Sequence, residues 1–138
     1  MEKSLISQTG LALLSLTLFA ANSSAGDTNG FRTPSKNIHC AVYDQNLRCD
    51  LLQNDAKLPP RPKDCELDWG NMFAMNLTGQ AARICAGDTV AGENTPALDY
   101  GRTWEYQGFQ CRSEMNGLTC TNKSNHGWFL KKAEQRLF

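Results

Sequence analysis

The sequence predicts an all-β domain, a small disulfide-stapled sandwich or barrel built around two similar β-hairpins. Cys40 and Cys49 mark the arms of the first hairpin, and Cys111 and Cys120 repeat the same spacing 71 positions later. Short apolar stretches alternate with turn residues, and long amphipathic helical periodicity is absent. Six cysteines in a chain of 138 residues favour three bridges in a small oxidised domain.

The first predicted unit is a hairpin preceded by a turn. Residues 33–37 contain Pro and Asn, which favour turns. Strand arms are predicted at residues 38–43 and 47–52, on either side of a polar connection. Residues 58–62 include three prolines, which cannot donate a main-chain hydrogen bond to a sheet, so an extended surface connection follows there.

The second half of the chain repeats this alternation of strand and turn. Two short strands are predicted at residues 72–77 and 81–85, and residues 86–99, rich in Gly, Thr, Asn and Pro, form a loop. Asn-Gly between extended arms is a strong hairpin signal. Three more strands are predicted, at residues 104–111, 118–122 and 127–131. Residues 132–138 are compatible with a helix or a strand.

Hairpin geometry limits which cysteines can pair. Side chains alternate faces along a strand, so two cysteines share a face only in a register of the right parity. A two-residue turn at Asn116-Gly117 would place Cys111 diagonally beside Cys120 on one face. A four-residue loop over 114–117 would place them directly opposite each other, and either register permits a bridge.

The same parity argument applies to the first hairpin. An unbulged three-residue loop would put the paired cysteines on opposite faces and forbid the bond. We therefore predict two bridges within hairpins and a third by elimination. The predicted pairs are Cys40–Cys49, Cys111–Cys120 and Cys65–Cys85.

The first 25 residues have the pattern of a secretory signal peptide. Lys3 supplies a positive charge, residues 11–21 are apolar except for Ser15 and Thr17, and Ser23-Ser24-Ala25 offers small residues for cleavage. The apolar stretch is shorter than the roughly 20 residues that span a bilayer. We predict cleavage after Ala25, or else after Ala21, to leave a single domain over residues 26–138 in a secreted or periplasmic location.

The balance of charge limits the classes of partner. Basic and acidic residues number 14 each, and the formal net charge is zero. A nucleic-acid partner is therefore not expected, because such proteins carry a basic surface that neutralises phosphates. Insertion into a membrane after cleavage is not expected either, and a protein or a cell-envelope polymer remains as the expected partner.

The motifs resemble those of a group of small exported bacterial proteins that is classed as a domain of unknown function. The family pattern begins Phe-x-Ser/Thr-Pro-Ser-Gly-Asn-Ile and a cysteine, and later includes Asp-Trp-Gly, Cys-x-Gly-Asp-Thr and Gly-His-Gly-Phe. The matching blocks are Phe31-Arg32-Thr33-Pro34-Ser35-Lys36-Asn37-Ile38-His39-Cys40, Pro59-Pro60-Arg61-Pro62, Cys65, Asp68-Trp69-Gly70, Cys85-Ala86-Gly87-Asp88-Thr89, Leu98-Asp99-Tyr100-Gly101, Gly117-Leu118-Thr119-Cys120-Thr121-Asn122 and Asn125-His126-Gly127-Trp128. The resemblance implies export and paired cysteines, and no established activity.

Two positions depart from the family pattern. Lys36 stands where the family usually has glycine, and His39 stands where it usually has a small residue. No family role therefore transfers to His39.

Catalytic chemistry has two weak candidates in the sequence. His126 could act with a carboxylate such as Asp88 in a small secreted hydrolase, because a histidine and an acid can share proton transfer. Histidine before glycine also suits a turn ordered by main-chain hydrogen bonds, and a lone Asp-Thr suits a side-chain-to-backbone turn. We therefore predict no catalytic residues, with the hydrolase as the alternative.

Metal and cofactor sites are not expected. The closest cysteines lie nine positions apart, whereas zinc ligands usually come two to four residues apart. Aromatic side chains offer a ligand platform or core filling. The candidate ligand contacts are Trp69, Trp104, His126 and Trp128. The leading hypothesis is a non-enzymatic binding module, and an inhibitor or immunity protein is a further alternative.

Overall fold

The computed structural model describes residues 28–138 as ten strands without a helix. The strands are β1 (Gly30–Arg32), β2 (Ile38–Tyr43), β3 (Asn46–Leu51), β4 (Asp68–Asn76), β5 (Ala82–Ala86), β6 (Thr103–Tyr106), β7 (Phe109–Glu114), β8 (Gly117–Thr121), β9 (Gly127–Lys131) and β10 (Glu134–Leu137). The predicted all-β class is thereby confirmed. The predicted signal peptide, residues 1–25, lies outside the described residues, and these offer no helix that could cross a bilayer.

The strands form two antiparallel sheets of five strands each. The first sheet has the order β1-β2-β3-β4-β5, and the second has the order β10-β9-β8-β7-β6. Each strand pairs with its neighbour in sequence, so each sheet is a simple meander. Short turns can make such antiparallel connections, and no long crossover is needed.

The two sheets pack face to face around one core. Phe31 of β1 contacts Trp104 of β6 with ring centroids 5.0 Å apart, and Phe73 of β4 contacts Trp128 of β9 at 6.2 Å. Alternate residues of the strands point into this core, as a two-layer packing requires. The sandwich form of the prediction is confirmed, whereas a closed barrel is wrong, because each of the two described sheets is open and ends in two edge strands.

Both cysteine hairpins place their sulfurs directly opposite each other. Cys40 pairs with Cys49 and Cys111 pairs with Cys120, each pair with Cα atoms 4.1 Å apart. The third bridge joins Cys65 to Cys85 at 5.9 Å. The three predicted bridges are therefore present. They indicate a protein made for an oxidising compartment.

The two hairpin bridges lie against each other at the centre of the core. The sulfurs of Cys40, Cys49 and Cys120 all lie within 4.8 Å of one another and are buried. All three sulfurs belong to disulfides, so none is a thiolate that could bind a metal ion. Their place in the middle of both sheets makes them part of the hydrophobic core.

The second hairpin turns one residue earlier than an Asn116-Gly117 turn would. Glu114 pairs with Gly117, so Met115 and Asn116 form the turn and the cysteines are directly opposite. A Cβ on Gly117 would lie 2.5 Å from the Phe129 ring, and its φ of 150° lies where side chains are rarely found. Glycine is therefore needed to start β8 and not to make the turn.

Three parts of the strand prediction need correction. The predicted strand at 104–111 is two strands, β6 and β7, joined at Gln107-Gly108, where both residues have positive φ. Residues 30–32 form an unpredicted strand that pairs with β2. The undecided segment 132–138 contains β10, which pairs with β9.

Candidate functional site

A groove of about 540 Å³ lies at one end of the sandwich, between the two sheets. Three turns surround this end groove: the turn before β2, the β7–β8 turn and the β9–β10 turn. Its lining residues are Thr33, Ser35, Asn37, Ile38, Gln53, Tyr100, Glu114, Met115, Asn116, Gly117, Leu118, Leu130, Lys131, Lys132 and Ala133. Loops at the ends of a rigid sandwich are a common place for binding residues.

The turn before β2 is fixed by its own side chains. The Thr33 hydroxyl lies 3.1 Å from the Ser35 hydroxyl and accepts a hydrogen bond from the Ile38 amide at 3.2 Å. Asn37 donates to the Gln53 carbonyl at 3.0 Å and accepts from the Gln53 amide at 2.8 Å. These bonds tie one wall of the end groove to the end of β3, so this wall is rigid.

The floor of the end groove is apolar and its rim combines apolar and polar groups. Leu118 and Leu130 are fully buried at the floor, whereas Met115 is 87% exposed and Tyr100 is 44% exposed. Such exposed apolar side chains around an apolar floor are typical of a binding surface. The carboxylate of Glu114 is engaged by Arg112, with 2.6 Å between Nε and Oε1.

The lining does not supply a recognisable catalytic set. Among the described residues, no histidine or cysteine lines the end groove, and Glu114 is the one carboxylate in the lining. The remaining polar groups are amides, hydroxyls and two lysines. They can form hydrogen bonds and ion pairs with a ligand, which is the chemistry of recognition.

Two of the predicted ligand contacts lie in the core. Trp104 and Trp128 are fully buried, and Trp104 donates from Nε1 to the Thr28 carbonyl at 3.0 Å. Both side chains fill space between the sheets, which removes them from the candidate surface contacts. Trp69 is half-buried and donates to the Pro59 carbonyl at 3.0 Å, so it holds the proline-rich segment against β4.

His126 lies in the β8–β9 turn, which Asn122 organises. The Asn122 side-chain oxygen accepts from the Ser124 and His126 amides at 3.0 and 3.1 Å. Its side-chain nitrogen donates to the carbonyls of Asn76 and Gly79 at 2.9 and 2.7 Å. Asn122 therefore joins this turn to the β4–β5 turn of the other sheet, and it was not predicted as a key residue.

Asp88 belongs to a clamp on the outer face of the first sheet. Arg48 donates from Nη1 to the Asp88 carboxylate at 2.8 Å and from Nε to the Asp50 carboxylate at 2.9 Å. The hydrogen bond from Arg48 and the charge of Arg48 lower the pKa of Asp88. The clamp holds Asp88 in the ionised form and places it on a different sheet from His126.

We expect the Asp88 pKa to lie below its ordinary value of 3.8. An Arg48→Met variant should raise the Asp88 pKa, because the donor and the positive charge are both lost. The ionised Asp88 stabilises the folded protein at neutral pH. This stabilisation is lost as the pH falls through the lowered pKa. Carboxyl NMR titration of both proteins checks this, and equal pKa values would contradict it.

Sequence reasoning missed the residues that form the end groove. Gln53, Met115 and Lys132 come from three separate connections, and none belongs to a motif with known chemistry. Met115 was the one local signal of a binding surface, because an apolar residue at the tip of a hairpin is exposed to solvent. Tyr100 was part of a matching block and lies at the rim.

Comparison with known proteins gives a family and no relatives of known function. No curated protein and no solved structure matches the chain. The model of a family of unknown function, DUF6636, matches residues 11–138. This match spans the whole sandwich with both cysteine hairpins and the end groove, and the chain therefore belongs to DUF6636, a family of unknown function.

Proposed function

We propose that this protein is an exported, non-enzymatic binding module that holds a protein or cell-envelope ligand in the end groove. The groove itself carries the proposal: an apolar floor, an exposed tyrosine and methionine, and polar turn residues share one cavity of about 540 Å³. Ligand sites commonly combine mostly apolar walls with a few placed polar groups.

Rigidity supports recognition over catalysis. The Cys111–Cys120 bridge and side-chain hydrogen bonds hold the turns around the groove before a ligand arrives. A preformed site loses less conformational entropy on binding than a flexible one does. Affinity can then come from a few anchors such as Tyr100 and Met115.

Export is supported by two independent features. Residues 11–21 have the apolar character of a signal peptide core, and three disulfides suit an oxidising compartment. A secreted or periplasmic location would bring the end groove into contact with envelope proteins and polymers. The hydrolase alternative has less support, because Asp88 is engaged by Arg48 and lies apart from His126.

The test compares a double variant of the groove rim with a variant of an exposed tyrosine outside the groove. We expect the Tyr100→Ala/Met115→Ala variant to bind a captured envelope ligand about 10-fold or more weakly, because exposed anchors dominate binding energy. Tyr43→Ala is the matched control, since Tyr43 is 56% exposed and lies outside the end groove. The exported, oxidised protein is used to capture the ligand from envelope extract, and calorimetry measures each affinity.

Two results would count against the proposal. If the double variant binds as tightly as the wild-type protein, the ligand is held elsewhere. If no ligand is captured, and the protein instead turns over an ester, glycan or RNA substrate with loss of activity in His126→Ala, the protein is an enzyme.

A further inference from the structure

Arg83 is a half-buried cation that lacks an acidic partner among residues 28–138. Its guanidinium stacks on the Phe73 ring at 4.7 Å and donates from Nη1 to the Gly70 carbonyl. No carboxylate of the described chain forms an ion pair with it. Burial lowers the pKa of Arg83, which is the sign of a desolvated cation. Such a charge usually has a partner.

The position of Arg83 on the edge of the sandwich leaves it accessible. Arg83 pairs with the core residue Phe73, so its side chain starts on the inner face of β5. Within the described part of the chain, β5 has one neighbour, β4, and forms the edge of the first sheet. On the second sheet, β10 forms the corresponding edge, and its inward-facing Leu137 is 42% exposed.

Most of the hydrogen-bonding capacity of Arg83 is unused. A guanidinium has five N–H donors, and one contact, to Gly70, accounts for its hydrogen bonding within the described residues. Stacking on Phe73 fixes the plane of the group, so its remaining donors keep a set direction. A fixed planar fork of donors matches the two oxygens of a carboxylate.

We propose that Arg83 binds a carboxylate carried by an extended peptide segment of a partner that lies along the free edge of β5. The edge strand offers main-chain groups for strand addition, and Arg83 offers the complementary charge. A single guanidinium beside an aromatic ring suits a monoanion on an apolar stem. This site shares no residue with the end groove and does not depend on it.

The experiment uses a peptide as the probe, acetyl-Thr-Val-Asp-Val-Thr-amide, and its partner with Asn in place of Asp. Binding to the exported, oxidised protein is followed by NMR at the β5 amides and at the Arg83 Nε–H. We expect the Asp peptide to shift both sets of signals and to bind about 10-fold or more tightly than the Asn peptide.

Substitutions of single arginines distinguish peptide binding at Arg83 from a general effect of positive charge. Arg83→Gln should weaken the Asp peptide about 10-fold or more, and Arg83→Lys should weaken it less, because charge remains without the fork. Arg102→Gln is the matched control, since Arg102 is an exposed arginine away from β5. Unchanged core amide signals away from residue 83 in the peptide-free variants show that the fold is kept.

Three outcomes would overturn the proposal. They are equal binding of the Asp and Asn peptides, equal binding by Arg83→Gln, and a response of Arg83 to inorganic phosphate but not to acetate. The Tyr100→Ala/Met115→Ala variant should bind the Asp peptide normally. Loss of the end-groove ligand and loss of this site are therefore distinguishable.

Discussion

Removal of the Cys111–Cys120 bridge, here called the core bridge, in a Cys111→Ala/Cys120→Ala variant is expected to destabilise the protein more than removal of the Cys65–Cys85 bridge. The chain-entropy model predicts the opposite order. It gives about 2.6 kcal/mol for Cys111–Cys120, and the greater separation of 20 positions, against 9, raises this to about 3.3 kcal/mol for Cys65–Cys85. Burial of the sulfurs reverses this order.

The core bridge contributes packing as well as a cross-link. Cys111 and Cys120 are fully buried, and Cys120 contacts the sulfurs of the Cys40–Cys49 bridge. Alanine at both positions leaves unfilled space between the sheets, which adds roughly 1–2 kcal/mol to the loss of unfolding free energy. Cys65 is buried and Cys85 is half-buried, but both lie outside the core cluster between the sheets, so less unfilled core space follows their replacement.

Urea unfolding of the two double variants checks this order. We expect a loss of about 3.6–4.6 kcal/mol for the core bridge and about 3.3 kcal/mol for Cys65–Cys85. The Cys40→Ala/Cys49→Ala variant is the internal control, because it removes the other copy of the same hairpin bridge and should behave like the first. A larger loss for Cys65–Cys85 would show that loop closure outweighs packing here.

The cysteine hairpins were predictable because two local rules agree. Alternation of faces requires paired cysteines to share a face, and the repeat at an offset of 71 positions predicts the same register twice. The hairpin at Gln107-Gly108 was missed because the apolar and aromatic residues from Trp104 to Cys111 run across it. Gln107 has a positive φ, which glutamine rarely adopts, so the residue type gave no indication of a turn there.

The end groove could not be predicted in the same way. Its residues come from turns that are distant in sequence, and they meet only because two meanders pack face to face. Tryptophan, which is often an anchor at interfaces, was the natural candidate, yet Trp104 and Trp128 are the largest fully buried side chains. A domain this small needs its large aromatic residues to fill the core.

The outer face of the first sheet presents a second strong case for a stability test. Asp50 is buried there and accepts hydrogen bonds from Arg48, from the Thr89 hydroxyl at 3.0 Å and from the Val90 amide at 2.9 Å. The loop after β5 crosses this face and joins the edge of β1, where Arg32 and Ala97 form a bridge. Asp50 is therefore the buried point that fastens the Thr89-Val90 part of this loop to the sheet.

Asp50→Ala is expected to lower the free energy of unfolding by about 3–5 kcal/mol, because it leaves three donors without their acceptor and Arg48 without its buried partner. Asp88→Ala, which removes the other carboxylate on Arg48, should cost far less, because an exposed ion pair contributes little to stability. The side chains of Asp50 and Asp88 are 3% and 82% exposed, and both carboxylates pair with Arg48. Comparison of the two alanine variants therefore separates the effect of burial from the effect of charge. Urea unfolding gives both values, and hydrogen exchange at the Val90 amide should accelerate only in Asp50→Ala. Equal losses would mean that charge alone holds the loop, and an unchanged Val90 amide would mean that another contact fastens it.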